Sequence, residues 1–167
     1  YHPVFRNFLE KFDYYDLFLV DSRTGNIVYS VFKEIDFGTS LTRGPHRHTN
    51  LARAFNLADQ ASGPGSVHFV DFAPYLPSYR APSAFIASPI FHNGEQLGVL
   101  VFQVPVDRIN DIMTSSGQWS EHGLGASGET YLIGPDFTMR SDSRFYIEDS
   151  EGYLTTLMDL DYPDERI

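Results

Sequence analysis

The chain is 167 residues long, which suits one domain plus an appendage. Its 42% hydrophobic and 15% aromatic residues, including 14 Phe and 10 Tyr, exclude a disordered chain and supply a core. Acidic residues number 22 against 12 basic ones, and the net charge of -10 argues against nucleic acid as a partner, while the lack of cysteine removes thiol catalysis, disulfides and thiolate metal sites.

The chain opens at Tyr1 rather than Met, with no signal-peptide core and no apolar run long enough to cross a bilayer, and it reads as a piece of a longer protein. Val4, Phe5, Phe8, Leu9 and Phe12 recur at helical spacing and predict an amphipathic helix over His2 to Asp13. The apolar run Asp16 to Val20, the turn-rich segment Asp21 to Asn26 and the second run Ile27 to Phe32 predict a β-hairpin, in which Gly25-Asn26 supplies positive φ. Asp36 to Thr49 lacks periodicity and reads as a structured loop. A short helix comes next, capped by Thr49 or Asn50, facing inward through Leu51, Ala54, Phe55 and Leu57 or Ala58, and ended by Ser62-Gly63-Pro64-Gly65.

Three further strands are predicted over Ser66 to Ala73, Ala84 to Phe91 and Gln96 to Val104, the last two joined by a hairpin turn at Asn93-Gly94. Between the first two, Pro74, Pro77 and Pro82 exclude a central strand and favour a stiff connection. Val106 to Met113 has one apolar helical face. Composition then shifts to Ser, Gly and charged residues through Gly128, which marks a boundary and gives domains 1–116 and 117–167. Beyond it, Thr130 to Gly134 and Thr138 to Ser141 flank Pro135-Asp136-Phe137 as a second hairpin that weakly echoes the first. From Asp149 onward, acidic and aliphatic residues mix without pattern; Asp159 and Asp161, beside Leu160, Tyr162 and Pro163, read as a solvated acidic tail.

Phe18-Leu19-Val20-Asp21 with Gly25-Asn26-Ile27-Val28-Tyr29 resembles the opening hairpin of Cache domains. Ala84 to Ile90, through Gly94 to Gly98-Val99-Leu100-Val101-Phe102, resembles their closing hairpin. Gly128 to Asp136, continuing through Met139 to Phe145, resembles the start of the second module in double-Cache receptors. The resemblance implies an α+β, PAS-like fold with a central antiparallel sheet of about five strands, flanked by the N-terminal helix and loop helices. It further implies a small-molecule sensor outside the inner membrane, in the periplasm, belonging to a membrane-anchored, homodimeric methyl-accepting chemotaxis receptor that signals through its N-terminal helix. A histidine kinase or cyclase sensor, a freestanding exported binding module and, last, a small enzyme are the alternatives.

Candidate ligand-binding residues are Asp71, Tyr75, Tyr79 and Arg80, with Ser88 on the neighbouring strand: aromatic walls, a carboxylate for an ammonium group and a guanidinium for a carboxylate. The tyrosines could equally pack the loop while both charges face water. Arg43, His46, Arg47 and His48 lie in the loop that in Cache domains crosses the pocket mouth, and such donors suit an anion. His46-Arg47-His48 lacks the partners of a metal site, and His68 has no nucleophile elbow, phosphate loop or HExxH helix beside it, so neither a metal, a cofactor nor catalysis is expected. Unlike amino-acid-sensing double-Cache receptors, the sequence has no Trp in its central module, since Trp119 lies after it. Small carboxylates, amines and other metabolites remain open as ligands.

Overall fold

The computed structural model describes residues 1–160. These fall into two compact units, one ending at Val106 and the other beginning at Asp107.

In the first unit, α1 spans His2–Phe12 and stops where Asp13 takes a left-handed conformation at φ 56°. Strands β1 (Asp16–Asp21) and β2 (Ile27–Ser30) form the expected hairpin. Helix α2 (Asn50–Asp59) is capped by the Thr49 hydroxyl, which accepts from the Ala52 N–H at 3.2 Å. Strands β3 (His68–Pro74), β4 (Pro82–His92) and β5 (Glu95–Pro105) complete one antiparallel sheet in the order β2-β1-β5-β4-β3. This is the PAS-like α+β arrangement that the resemblance implies.

Pro74 and Pro82 are tolerated because they pair with each other at the end of the edge strand β3. The stiff connection between them folds into a short 3₁₀ turn over Leu76–Ser78. Strand β2 ends two residues before the apolar run does. The reason is Asp16, whose carboxylate accepts the Val31 and Phe32 N–H groups at 2.8 and 3.4 Å in place of a continued ladder.

The sheet has two differently used faces. On the inner face, Phe18, Val101 and Ala87 form one row across β1, β5 and β4, and Val20 and Val99 the next; α2 covers them with Leu51, Ala54, Phe55 and Ala58. Each large side chain buried there stabilises the fold by roughly 1.5–3 kcal/mol. On the outer face, Leu9 of α1 is buried against Leu17 and Val31, ringed by Phe5, Tyr14, Leu19, Tyr29, Leu100 and Phe102.

The second unit holds α3 (Val106–Thr114) from its second residue onward, α4 (Arg144–Glu148) and α5 (Ser150–Asp159). After α3 the chain turns through three consecutive positive-φ residues, Ser115, Ser116 and Gly117. Arg144 organises the irregular stretch between α3 and α4: its guanidinium lies 4.7 Å over Trp119 and donates to the Gly125 and Gly128 carbonyls and to Glu148. The expected second hairpin is pared to a single bridge between Ile133 and Met139. The patternless tail is instead helical through Asp159, because Asp149 caps α5 by accepting the Gly152 N–H at 3.0 Å. Asp161, Tyr162 and Pro163 lie outside the described residues.

Gly98 pairs with Asp21 on β1, and a Cβ built there would meet the Val20 carbonyl oxygen. Backbone on both sides leaves no side chain to yield. Gly98→Ala is therefore expected to destabilise the protein by about 1–3 kcal/mol in a denaturant titration, whereas Gly94→Ala, which meets nothing within 4 Å and is strained only by its φ of 82°, should cost less.

Candidate functional site

The inner face of the sheet changes character at one end. Where the next row would continue the apolar pattern, Asp16 of β1, Gln103 of β5 and Phe85 of β4 stand side by side, and Ser83 lies further along β4. Asp16, Gln103 and Ser83 are buried, as are Asp36 from the loop after β2 and Ser78 from the 3₁₀ turn.

Side-chain hydrogen bonds hold these groups in two sets, a Tyr75–Asp36 pair and a chain running from Tyr15 through Glu34, Ser78 and Gln103 to Ser83. The Tyr75 hydroxyl donates to Asp36 Oδ2 at 2.5 Å, the Tyr15 hydroxyl to Glu34 Oε1 at 2.8 Å and the Ser78 hydroxyl to Glu34 Oε2 at 2.9 Å. Gln103 Nε2 donates to Ser78 Oγ at 3.0 Å and to Ser83 Oγ at 2.8 Å. The serines fix the orientation of this amide. Ser78 donates its proton to Glu34 and Ser83 donates its own to the Ala81 carbonyl, so both oxygens need a donor and only the amide nitrogen supplies it. Gln103 Oε1 is thereby left without a partner, and so is Asp36 Oδ1.

The site is electrostatically one-sided. Among the described residues, Asp16, Glu34 and Asp36 form no ion pair. Lys33 is held elsewhere, its ammonium donating to the Ser30 carbonyl and lying over the Tyr29 and Phe37 rings. Burial pushes the Asp16 carboxyl up to about 6 against the opposing effect of the Leu17, Val31 and Phe32 N–H groups, with the Asp36 charge adding to the rise. Burial also raises the Tyr15 hydroxyl to about 12, helped by Glu34, and raises Tyr75, helped by Asp36. Both phenols therefore stay protonated as donors.

The residues singled out from sequence are not gathered in one place. Tyr75 is fully buried, its ring edge-on to Phe85 at 5.1 Å, and its hydroxyl donates to Asp36. Asp71 is half-buried beside the irregularity of β3; its carboxylate accepts the Phe72 N–H, and its carbonyl receives the Asn50 amide. Tyr79 and Arg80 are exposed at consecutive positive-φ positions, Tyr79 at 93%. Ser88 stands opposite Leu100, in the row of the outer face that serves α1, away from Tyr75 and Gln103. In the loop before α2, His46 is buried, whereas Arg43, Arg47 and His48 are exposed and Arg47 donates to the Gly44 carbonyl of its own turn.

Glu34, Asp36, Gln103, Ser78 and Asp16 are the residues that sequence reasoning passed over. One of them carried a signal. In Gly98 to Val104 the inward positions are Val99, Val101 and then Gln103, a polar residue where period-2 alternation calls for an apolar one. Asp36 carried none, because a loop without periodicity does not say which way its side chains point.

The second unit has a cleft of about 410 Å³ lined by Asp107, Asp111, Thr114, Trp119 and Asp142 among others. There Asp142 is already joined to Asn110 by two hydrogen bonds.

Asp16 titrates between its unfolded value, 3.8, and its folded value of about 6, and the folded state binds the proton more tightly. Its contribution is complete below pH 3.8 and is lost as pH rises to about 6. With about 1.4 kcal/mol per unit this amounts to about 3 kcal/mol. Denaturant titrations from pH 4 to 7 should show a loss of that order on going up in pH in the wild type relative to Asp16→Asn; parallel profiles would refute it.

No family model and no curated protein matches this chain. Solved structures do share its fold. The ligand-binding domain of the Pseudomonas aeruginosa amino-acid chemoreceptor PctC in complex with GABA superposes with a TM-score of 0.54 at 12% identity, covering 83% of this chain and 51% of that one. The ligand-binding domain of the Pseudomonas fluorescens chemoreceptor CtaA in complex with L-serine gives 0.52 at 13% identity over 79% and 49%. The sensory domain of a Campylobacter jejuni chemoreceptor gives 0.54 at 9% identity over 87% and 52%. The chain thus spans about half the length of these sensor domains.

Proposed function

We propose that this chain, which has the fold of Cache-type sensor domains, is the ligand-sensing part of a bacterial transmembrane chemoreceptor, exposed on the periplasmic side and not an enzyme. The observation that carries the reading is the polar end of the inner sheet face, where two buried sets of polar groups leave Asp36 Oδ1 and Gln103 Oε1 without donors. Buried polar atoms are almost always paired, and an unpaired one costs about 1–3 kcal/mol, so two at one end of the sheet mark a place awaiting a partner.

The proposed binding site is therefore centred on Asp36, Tyr75, Ser78 and Gln103. Of the candidates read from sequence, the Asp71 to Arg80 segment belongs to it through Tyr75. Two of the structural neighbours were solved holding small amino metabolites, which suits a metabolite ligand here. None of the described helices is long and apolar enough to cross a membrane.

Signalling would run through the sheet. Asp16 faces the site while the adjacent Leu17 packs under α1, and Val31, whose N–H binds Asp16, belongs to the same outer cluster. A ligand that binds one arrangement of this strand more tightly than another would thereby bias the seat of α1.

We further propose that residues 117–167 open a second module of the parent. Limited proteolysis should then cut first between Gly117 and Gly128, a stretch of turns with positive φ at Gly117, Gly123 and Gly125. Uniform resistance there would count against a boundary.

The direct test of the sensing reading is a thermal-shift screen of small metabolites. A ligand at about 100 times its dissociation constant stabilises the native state by roughly 2.7 kcal/mol, an easily read rise in melting temperature. A screen covering amines, carboxylates and amino acids without a single shift would remove the proposal.

A further inference from the structure

We infer that the ligand is an organic cation, a primary ammonium compound without a carboxylate, whose N–H groups are received by Asp36 Oδ1 and Gln103 Oε1. This rests on the ligand-sensing reading and adds the chemical class. The two unpartnered atoms are both acceptors and belong to residues 0% and 1% exposed. They can be satisfied only by a group that donates.

The surroundings add a sign to that requirement. Asp16, Glu34 and Asp36 bring three carboxyl groups to one end of the sheet, and no described lysine or arginine is paired with any of them. The hydroxyls of Tyr15, Tyr75 and Ser78, with the Gln103 amide nitrogen, already donate into the network and have nothing left for an anionic group. A carboxylate entering here would meet acceptors and negative charge, whereas an ammonium group would complete both orphaned acceptors and gain charge-assisted bonds. The buried Tyr75 and Phe85 rings beside Asp36 and Gln103 suit the alkyl part of such a ligand.

The inference separates from the reading beneath it by the choice of probes. Thermal shift and titration calorimetry on the whole chain would compare ethylammonium and putrescine with choline, acetate, succinate and L-alanine. Ethylammonium or putrescine should raise the melting temperature, choline less because it has no N–H, and the carboxylates not at all. Asp36→Asn, which keeps an acceptor for Tyr75, and Gln103→Leu should each weaken ammonium binding by about tenfold or more. Glu34→Gln gives a second reading of the charge requirement should either variant fail to fold by circular dichroism.

Binding of acetate, succinate or alanine with no response to the ammonium probes would overturn the cationic class and leave the sensing reading intact. Silence from every probe and from the wider screen would remove both. Undiminished ammonium binding in all three variants, or a crystal structure grown with ethylammonium that shows only water on Asp36 Oδ1, would also overturn the inference.

Discussion

The pairing of β1 with β5 is the constraint on which the rest of the structure depends. It joins Asp16 through Asp21 to Gln103 through Gly98, across some eighty residues of chain, and it turns two hairpins into one sheet. Such a long closure costs entropy before any contact offsets it, so the register must be well specified. The apolar rows specify it: a slip by one residue would send Phe18 and Val20 to the face of α1 and Leu17 and Leu19 under α2. Gly98 removes the one side chain that would keep the strands apart at the far end.

From this pairing comes the separation of duties between faces. Side chains alternate across a strand, so the same few residues of β1 carry the network on one side and the helix seat on the other. The Asp16 carboxylate links the two more directly, because by accepting the Val31 and Phe32 N–H groups it ends β2 and directs Val31 into the cluster around Leu9. It is at once a strand terminator and a buried acid, and its raised affinity for a proton measures how poorly this end of the sheet tolerates another negative charge.

The elements of the first unit were legible because each obeys local rules. Periodicity marked α1 and the strands, the pair Thr49-Asn50 marked the start of α2, and Asn93-Gly94 marked the turn between β4 and β5. The site was legible only in fragments. Tyr75 reads from the sequence as an aromatic wall or as loop packing, and its hydroxyl partner is Asp36, 39 residues away in a loop whose inward turn depends on tertiary contacts such as the bond from Ile27 to the Thr39 carbonyl. Ser88 was misaligned for a simpler reason: strand parity assigns it to the Leu100 row, and the polar character that drew attention to it says nothing about parity. In the second unit, helix α5 was hidden because its amphipathicity is weak and none of its residues is buried.

The layout of the inner face also bears on how such a domain can change over evolutionary time. The rows through Phe18 and Val20 hold the sheet against α2, while the row through Asp16 and Gln103 holds polar chemistry at the strand ends. Apolar packing and polar chemistry thus occupy different rows of one surface. Drift at Gln103, Ser83 or Ser78 can therefore alter the pattern of donors and acceptors without disturbing the rows that keep the chain folded.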